Sequence, residues 1–276
     1  MKKLKTAQKI LKTRGMNGLA MTLRLKLDRS FRPDETKIVY ELINDRSHSG
    51  FMIDVGAHHG SSLAPFAELG WQVIAFEPDS SNRAILESSF STYDNVIIDP
   101  RACSDQAQPE ATLFVSPESS GVSGLSAFLE SHRASEKISV TTLADALGAY
   151  GYLAKPVDFL KIDTEGFDLM VLKGFLWAQS PHPGVIVCEF EDAKTRPLGY
   201  SFHQLADFLV NKAYWLIISE WYPVKAYGGL HRWRRFTTYP CDLVDPQGWG
   251  NIIAVKDQEA YHQLCQLCQL DRLHIK

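Results

Sequence analysis

The fold is decided by one stretch of the sequence, Phe51-Met-Ile-Asp-Val-Gly-Ala-His-His-Gly60. A short apolar run that ends in Asp-x-Gly and leads into a helical segment is typical of a buried parallel strand that turns into a helix. Gly56 and Gly60 can adopt backbone angles that are closed to other residues, and they let a ligand approach the main chain. The stretch therefore predicts a ligand-binding turn at the edge of a sheet.

An acidic residue follows this turn at an informative distance. Glu77 ends the next apolar run and lies 21 residues beyond Gly56. An acid at about 20 residues from such a turn can accept hydrogen bonds from both hydroxyls of a ribose. Together, the turn and Glu77 predict a site for an adenosine-containing cofactor.

The glycines that are absent indicate which adenosine cofactor the turn suits. A dinucleotide fingerprint, G-x-G-x-x-G, has its second and third glycines where this chain has His58 and Ser61. S-adenosyl-L-methionine carries no phosphates and needs no closely packed pyrophosphate site, so we predict this cofactor rather than NAD. An NAD-linked sugar oxidoreductase and a catalytically silent cofactor-binding scaffold remain alternatives.

Length and composition predict one main domain. The 276 residues are 45% hydrophobic and 22% charged, which is ordinary for a globular protein with a single large core. We expect a cytoplasmic protein, because no apolar run has the length of a membrane span and the N-terminus lacks the apolar centre of a signal peptide. The five cysteines suit a reducing compartment.

Charge is distributed unevenly along the chain. Residues 1–32 carry ten basic side chains and one acidic side chain, whereas the rest carries 19 basic and 31 acidic ones. We therefore divide the chain into a basic N-terminal helical segment, residues 1–46, and a catalytic domain, residues 47–276. The basic segment suits either packing on the domain or peripheral contact with an anionic membrane. A nucleic-acid partner is disfavoured because the body is acidic.

Strands and helices alternate along the domain, which predicts an α/β fold, a doubly wound sheet with helices on both faces. An insertion with short strands at 111–115 and 138–142 interrupts the alternation, and the connection 222–249 is long enough to suggest a function. The predicted strands of the main sheet are 51–57, 71–77, 95–99, 157–163, 184–190, 215–221 and 250–256.

A second constellation repeats the chemistry of the first. Residues 157–166, VDFLKIDTEG, form an apolar strand with an acid at its carboxyl end. In a doubly wound sheet the ligand lies where the strand order reverses, between the first strand and the strand that begins the second half. This arrangement places Asp163 opposite Asp54 and Gly56.

These motifs and three others resemble, in order, those of the FkbM family of class I S-adenosylmethionine-dependent methyltransferases. The resemblance implies a Rossmann-like sheet of seven strands, mostly parallel with an antiparallel last strand. It also implies O-methylation of a hydroxyl on a sugar, glycolipid or polyketide-type product. The motifs are DVGAHHG at 54–60, FEP at 76–78, VTTLAD at 140–145, LKIDTEG at 160–166 with VLKG at 171–174, and VCEF at 187–190.

The resemblance also assigns the cofactor contacts. The first turn would line the methionine side, Glu77 the ribose, and the turn at 99–102 the adenine, while His58 stands where the family often has Asn. The residues predicted to bind the cofactor are Asp54, Gly56, His58, Gly60, Glu77, Pro78, Arg101, Ala102 and Asp163.

An aliphatic hydroxyl is a poor nucleophile and gains from a base that removes its proton. The candidates for this catalytic role are Asp163, Glu189 and His59. A divalent metal held by Asp163, Glu165, Glu189 and Glu191 is an alternative that we favour less.

The connection 222–249 interleaves aromatic and basic side chains, which would suit a phosphorylated or nucleotide-linked sugar. We predict that Tyr227, Trp233 and Arg234 bind the acceptor. A hairpin that merely packs on the sheet explains the same pattern.

Overall fold

The computed structural model describes residues 32–44, 49–227 and 229–270. Most of the basic N-terminal segment, residues 1–31, lies outside these ranges, so its predicted helix and membrane contact stay predictions. The strands are β1 Phe51–Val55, β2 Gln72–Phe76, β3 Val96–Asp99, β4 Ala102–Cys103, β5 Gln108–Val115, β6 Ser123–Gly124, β7 Arg133–Thr141, β8 Phe159–Ile162, β9 Val185–Glu191, β10 Trp215–Trp221, β11 Trp233–Thr238 and β12 Trp249–Val255.

Eight helices accompany these strands in the described residues. The first of them follows an Asp34 cap, whose side chain accepts from the Lys37 amide. The helices are α1 Glu35–Ile43, α2 Ala64–Glu68, α3 Ser80–Ser89, α4 Leu143–Ala149, α5 Asp168–Lys173, α6 Asp192–Thr195, α7 Phe202–Asn211 and α8 Gln258–Leu267.

The main sheet has the order β11-β10-β12-β9-β8-β1-β2-β3. Five neighbouring strands pair in parallel, in the order β9, β8, β1, β2 and β3. β12 lies between β9 and β10 and is antiparallel to both. The strand order reverses between β1 and β8, whose residues Val55 and Ile162 are in register. This confirms a mostly parallel α/β sheet and places the two acidic motifs side by side.

The predicted count of seven strands is wrong, because the sheet has eight strands within the described part of the chain. The additional strand is β11, which lies in the connection 222–249 and pairs antiparallel with β10. Its alternating aromatic and basic residues resembled a binding loop in the sequence. An edge strand needs no continuous apolar run, and Trp233–Thr238, WRRFTT, has only two large apolar residues.

The insertion is a second sheet with the order β4-β7-β5-β6. Its two long strands pair antiparallel and begin at Gln108 and Arg133, several residues before the predicted 111 and 138. The first residues of both strands are polar and exposed, so the apolar pattern did not indicate where the strands begin.

Helices cover both faces of the main sheet. Along β1, Phe51, Ile53 and Val55 join a core cluster with residues of α4, α5 and α7, whereas Met52 joins a second cluster with residues of α1, α2 and α8. Alternation of side chains along a strand explains this division. No described helix has both the length and the apolar character needed to cross a membrane.

Candidate functional site

A first cavity opens at the carboxyl ends of β1, β2 and β8, with about 580 Å³ of space that includes open solvent. No Lys or Arg occurs among the described residues that line it, so a pyrophosphate would find no basic partner there. Six of the residues predicted to bind the cofactor line this cavity: Gly56, His58, Glu77, Pro78, Ala102 and Asp163.

Glu77 presents a buried carboxylate to the first cavity. Its oxygens accept from the backbone amides of His58 at 2.7 Å and Asp79 at 2.9 Å. Burial raises the pKa of Glu77 to about 7, although these two hydrogen bonds oppose the shift. Carboxylate oxygens have several lone pairs, so Glu77 can accept from ribose hydroxyls as well.

Gly56 brings the two acidic motifs into contact. Its φ of +82° lies in the left-handed region, and a Cβ at this position would overlap the backbone carbonyl oxygen of Asp163. The Asp163 amide in turn donates to the Val55 carbonyl at 2.9 Å. Only glycine therefore fits here, because both the backbone angle and the space exclude a side chain.

Three other predicted cofactor residues lie outside the first cavity. Asp54 is fully buried below it, and its Oδ1 lies 3.6 Å from Lys161 Nζ. Gly60 packs against α3, where a Cβ would overlap Phe90. Arg101 forms an ion pair with Asp99. The structure therefore gives these three residues contacts within the protein.

The two adjacent histidines differ in position. Their rings stack with centroids 3.7 Å apart, and His58 Nε2 lies 3.0 Å from Ser120 Oγ. His59 Nε2 lies 3.2 Å from Asn82 Oδ1, and His59 is absent from the lining of either cavity described here. His58 therefore lines the first cavity, whereas His59, a candidate base, lines neither of the two cavities.

A second cavity adjoins the first and holds about 640 Å³ of empty space. Asp163 and Gly121 line both cavities. Its walls come from the ends of β8 and β9, from the insertion and from the connection between β10 and β12. The side chains in this lining that are titratable or aromatic are Asp163, Glu165, Glu189, Glu191, Lys194, Tyr227, His231 and Trp249.

Asp163 is the accessible carboxylate at the junction, with 44% of its side chain exposed. Lys161 Nζ lies 3.1 Å from its Oδ2. Desolvation raises the pKa of Asp163, but Lys161, Lys194 and His58 outweigh it and hold this pKa below the usual range. Asp163 is therefore ionised at neutral pH.

Lys194 lies at the centre of the other acids, and sequence reasoning missed it. Its ammonium is 2.5 Å from Glu165, 3.0 Å from Glu189 and 2.8 Å from Glu191. Burial nevertheless raises the pKa of Glu165 to about 7 and the pKa of Glu189 well above its usual range. The only local signal was a lysine three residues after Glu191, at the start of a helix.

The three residues predicted to bind the acceptor separate in the structure. Tyr227 lines the second cavity, and its hydroxyl donates to Glu191 at 3.1 Å. Trp233 donates to Ser219 at 3.3 Å, and Arg234 stacks on the Tyr222 ring at 4.0 Å. Neither Trp233 nor Arg234 lines a cavity described here.

Residues 119–125 of the insertion, which we call the cover segment, contribute to both cavities. Asn82 donates to the Ser120 carbonyl oxygen at 2.9 Å, while Ser120 Oγ contacts His58. Glycine and serine make up most of this segment, a composition typical of a loop. Its contacts with the first turn instead close the site on one side.

Comparison with known proteins identifies the family. The family model for the methyltransferase FkbM domain matches residues 54–216, which is more than half of the chain. The chain belongs to the FkbM methyltransferase family. This confirms the resemblance of the sequence motifs and makes the chain an S-adenosylmethionine-dependent methyltransferase.

Solved structures resemble this FkbM chain only distantly. A precorrin-6y C5,15-methyltransferase from Geobacter metallireducens is 12% identical, with a TM-score of 0.43 over 83% of this chain and 92% of that one. An O-methyltransferase from Bacillus cereus in complex with SAH is 13% identical, with a TM-score of 0.42 over 91% of both chains. No curated protein matches the sequence significantly.

Proposed function

We propose that the protein transfers a methyl group from S-adenosylmethionine to a hydroxyl of an uncharged, polyhydroxylated acceptor, such as a sugar, a glycolipid or a polyketide-type product. One observation carries this proposal: two cavities meet at the ionised carboxylate of Asp163. The first cavity suits the cofactor and the second the acceptor. Asp163 stands where the methyl group would pass between them.

The residues of the first cavity fit the parts of the cofactor. Glu77 would accept from the ribose hydroxyls, Pro78 and Ala102 would contact the adenine, and Gly56 would leave room for the methionine part. The cofactor, when bound, supplies an electrophilic methyl group on a sulfonium. The protein must then hold an acceptor oxygen in line with that methyl group, which lowers the entropic part of the barrier.

Two carboxylates, those of Asp163 and Glu189, act on the acceptor hydroxyl. Asp163 accepts its hydrogen bond and orients the oxygen, because this carboxylate is ionised and accessible from both cavities. Glu189 lies close by, with one oxygen of each carboxylate within 4.8 Å of one another. Burial raises the pKa of Glu189, so its ionised form is the stronger base and would take the proton as the new bond forms.

The charge of the second cavity selects against anionic acceptors. Four carboxylates and one lysine line it. A phosphate would meet repulsion from these acids, and the arginine predicted to clamp it, Arg234, lies elsewhere. Hydroxyl groups can donate to the carboxylates, and the rings of Tyr227 and Trp249 offer faces for a sugar ring. We therefore replace the phosphorylated acceptor by an uncharged one.

Two measurements test this function in sequence. Calorimetry against S-adenosylmethionine and NADH should show binding of the former only, and binding of NADH alone would favour the oxidoreductase. Mass spectrometry should then detect a methylated product in a panel of hydroxylated glycans, each offered with and without a phosphate. Binding of the cofactor without any product across the panel would favour the silent scaffold.

A further inference from the structure

The ammonium of Lys194 lies against a carboxylate cluster that could hold a metal ion. Oxygens of Asp163, Glu165 and Glu189 lie within 4.8 Å of one another, as the ligands of a single cation must. Lys194 Nζ lies within 3.0 Å of two of these acids, Glu165 and Glu189, and of the neighbouring Glu191. Two of the three clustered acids therefore already share a cation that the chain itself supplies.

The number of hydrogen-bond donors matches the number of acids around Lys194. An ammonium group has three N–H donors. Three carboxylates surround it: Glu189 accepts a hydrogen bond from it, and Glu165 and Glu191 lie at ion-pair distance. Asp163 is the remaining carboxylate of the cavity, and its ion-pair partner is Lys161. Lys194 thus holds three acids in place and leaves the fourth for the acceptor.

The position of Lys194 is fixed from several sides. Only 3% of its side chain is exposed, and its ammonium lies 5.4 Å from the ring of Phe128 and 5.6 Å from that of Tyr227. Phe128 belongs to the insertion and Tyr227 to the connection after β10. Both rings can stabilise the ammonium through their π faces. Lys194 therefore contacts two parts of the cavity wall that are distant in the sequence.

We propose that Lys194 is a built-in cation of the acceptor cavity, which takes the place of a divalent metal and positions Glu165, Glu189 and Glu191 for the transfer reaction. Lys194 is a positioning residue, since its three donors face protein acids. The role in transfer rests on the proposed function, whereas the occupation of the cation position does not.

Titration of the full-length chain with Mn²⁺, followed by calorimetry, tests the occupation directly. The wild-type chain should show no site at Mn²⁺ concentrations up to about 1 mM, a range that covers the weaker carboxylate sites of proteins. Lys194→Met should create one site per chain that binds at least about tenfold more tightly than this 1 mM limit, because Glu165, Glu189 and Glu191 then lack their counter-charge. Lys137→Met, on an exposed lysine paired with Glu110, is the matched control and should gain none.

Two results would overturn the proposal. One is a wild-type Mn²⁺ site with one ion per chain that is lost in Glu189→Gln, since a metal would then share the cluster with Lys194. The other is a folded Lys194→Met chain without a new site. If Lys194→Met loses its cooperative thermal transition, the double variant Lys194→Met/Glu191→Gln reduces the charge imbalance and keeps the three acids that converge. It should bind Mn²⁺ in the same way.

A pH profile tests the positioning role separately. In Lys194→Gln the acid limb of the transfer rate should move to higher pH, because the acids lose a cation that favours their ionised forms. Lys194→Arg should restore the wild-type limb in part. An unchanged limb in Lys194→Gln would remove the positioning role. Loss of S-adenosylmethionine binding, measured by calorimetry, would instead count against the proposed function.

Discussion

The two cavities of this protein are built in different ways. The first is formed mainly by turns that directly follow β1, β2 and β8, with the cover segment on one side. The second takes walls from β9, from the short helix α6, from the insertion and from the connection between β10 and β12. A cavity made of local turns is visible in the sequence, whereas one made of distant segments is visible only after folding.

The junction of the cavities should respond most strongly to mutation. Asp163→Asn keeps the size of the side chain and removes its charge, so we expect transfer to fall about a thousandfold, within the usual range for an acid–base residue. Cofactor binding should remain measurable by calorimetry. Near-normal transfer in Asp163→Asn would remove its catalytic role and break the link between the two cavities.

The turn of the first cavity should be the next most sensitive position. Gly56→Ala forces a Cβ into the Asp163 carbonyl at a backbone angle that suits glycine, and we expect a loss of about 2–4 kcal/mol in the free energy of unfolding. Denaturant unfolding measures this loss. Gly70→Ala is the matched control, because Gly70 has a similar φ of +80° but open space around it. Equal losses in both variants would show that backbone angle alone matters.

The pH dependence of cofactor binding should identify the role of Glu77. Its pKa of about 7 means that the carboxyl is mostly protonated below pH 7 and mostly ionised above it. Ribose hydroxyls donate to the ionised form, so affinity for S-adenosylmethionine should rise as the pH passes through about 7 and then level off. Glu77→Gln should bind about tenfold more weakly at pH 8, as expected for one lost charge-assisted hydrogen bond. A pH-dependent rise that persists in Glu77→Gln would assign it to another group.

The smallest effects should separate the residues of the connection. Tyr227→Ala removes a ring from the second cavity, and we expect the Michaelis constant for the acceptor to rise about tenfold. Arg234→Ala removes a side chain that stacks on Tyr222, and transfer should stay within about twofold of wild type. Steady-state kinetics with the acceptor found in the panel compares them. A larger effect for Arg234→Ala would restore the predicted phosphate clamp.

The sequence predicted the sheet and the first cavity well, because both depend on local patterns. Gly56 and Glu77 stand at the ends of apolar runs, and the order reversal between β1 and β8 places Asp163 beside them. The same motifs could not reveal that Gly60 packs on Phe90 rather than lining the cavity. A glycine needed for packing has the same signature as one needed for a ligand.

The second cavity was predicted only in part. Asp163, Glu189 and Tyr227 line this cavity, and their proposed roles stay predictions, whereas Lys194 carried no motif and was not predicted. Its importance comes from three acids on two separate segments, the turn after β8 and strand β9, which only the folded chain brings together. Trp233 was predicted to bind the acceptor, but it lies on strand β11 and does not line this cavity. The alternating aromatic and basic pattern of a binding loop also occurs in an edge strand.

The cover segment couples the cofactor cavity to the acceptor cavity. Ser120 is held by Asn82 and His58 on the cofactor side, while its neighbour Gly121 lines both cavities. A segment shared in this way cannot open for one substrate without disturbing the pocket of the other. A substitution in the cover segment should therefore weaken the binding of the donor and of the acceptor together.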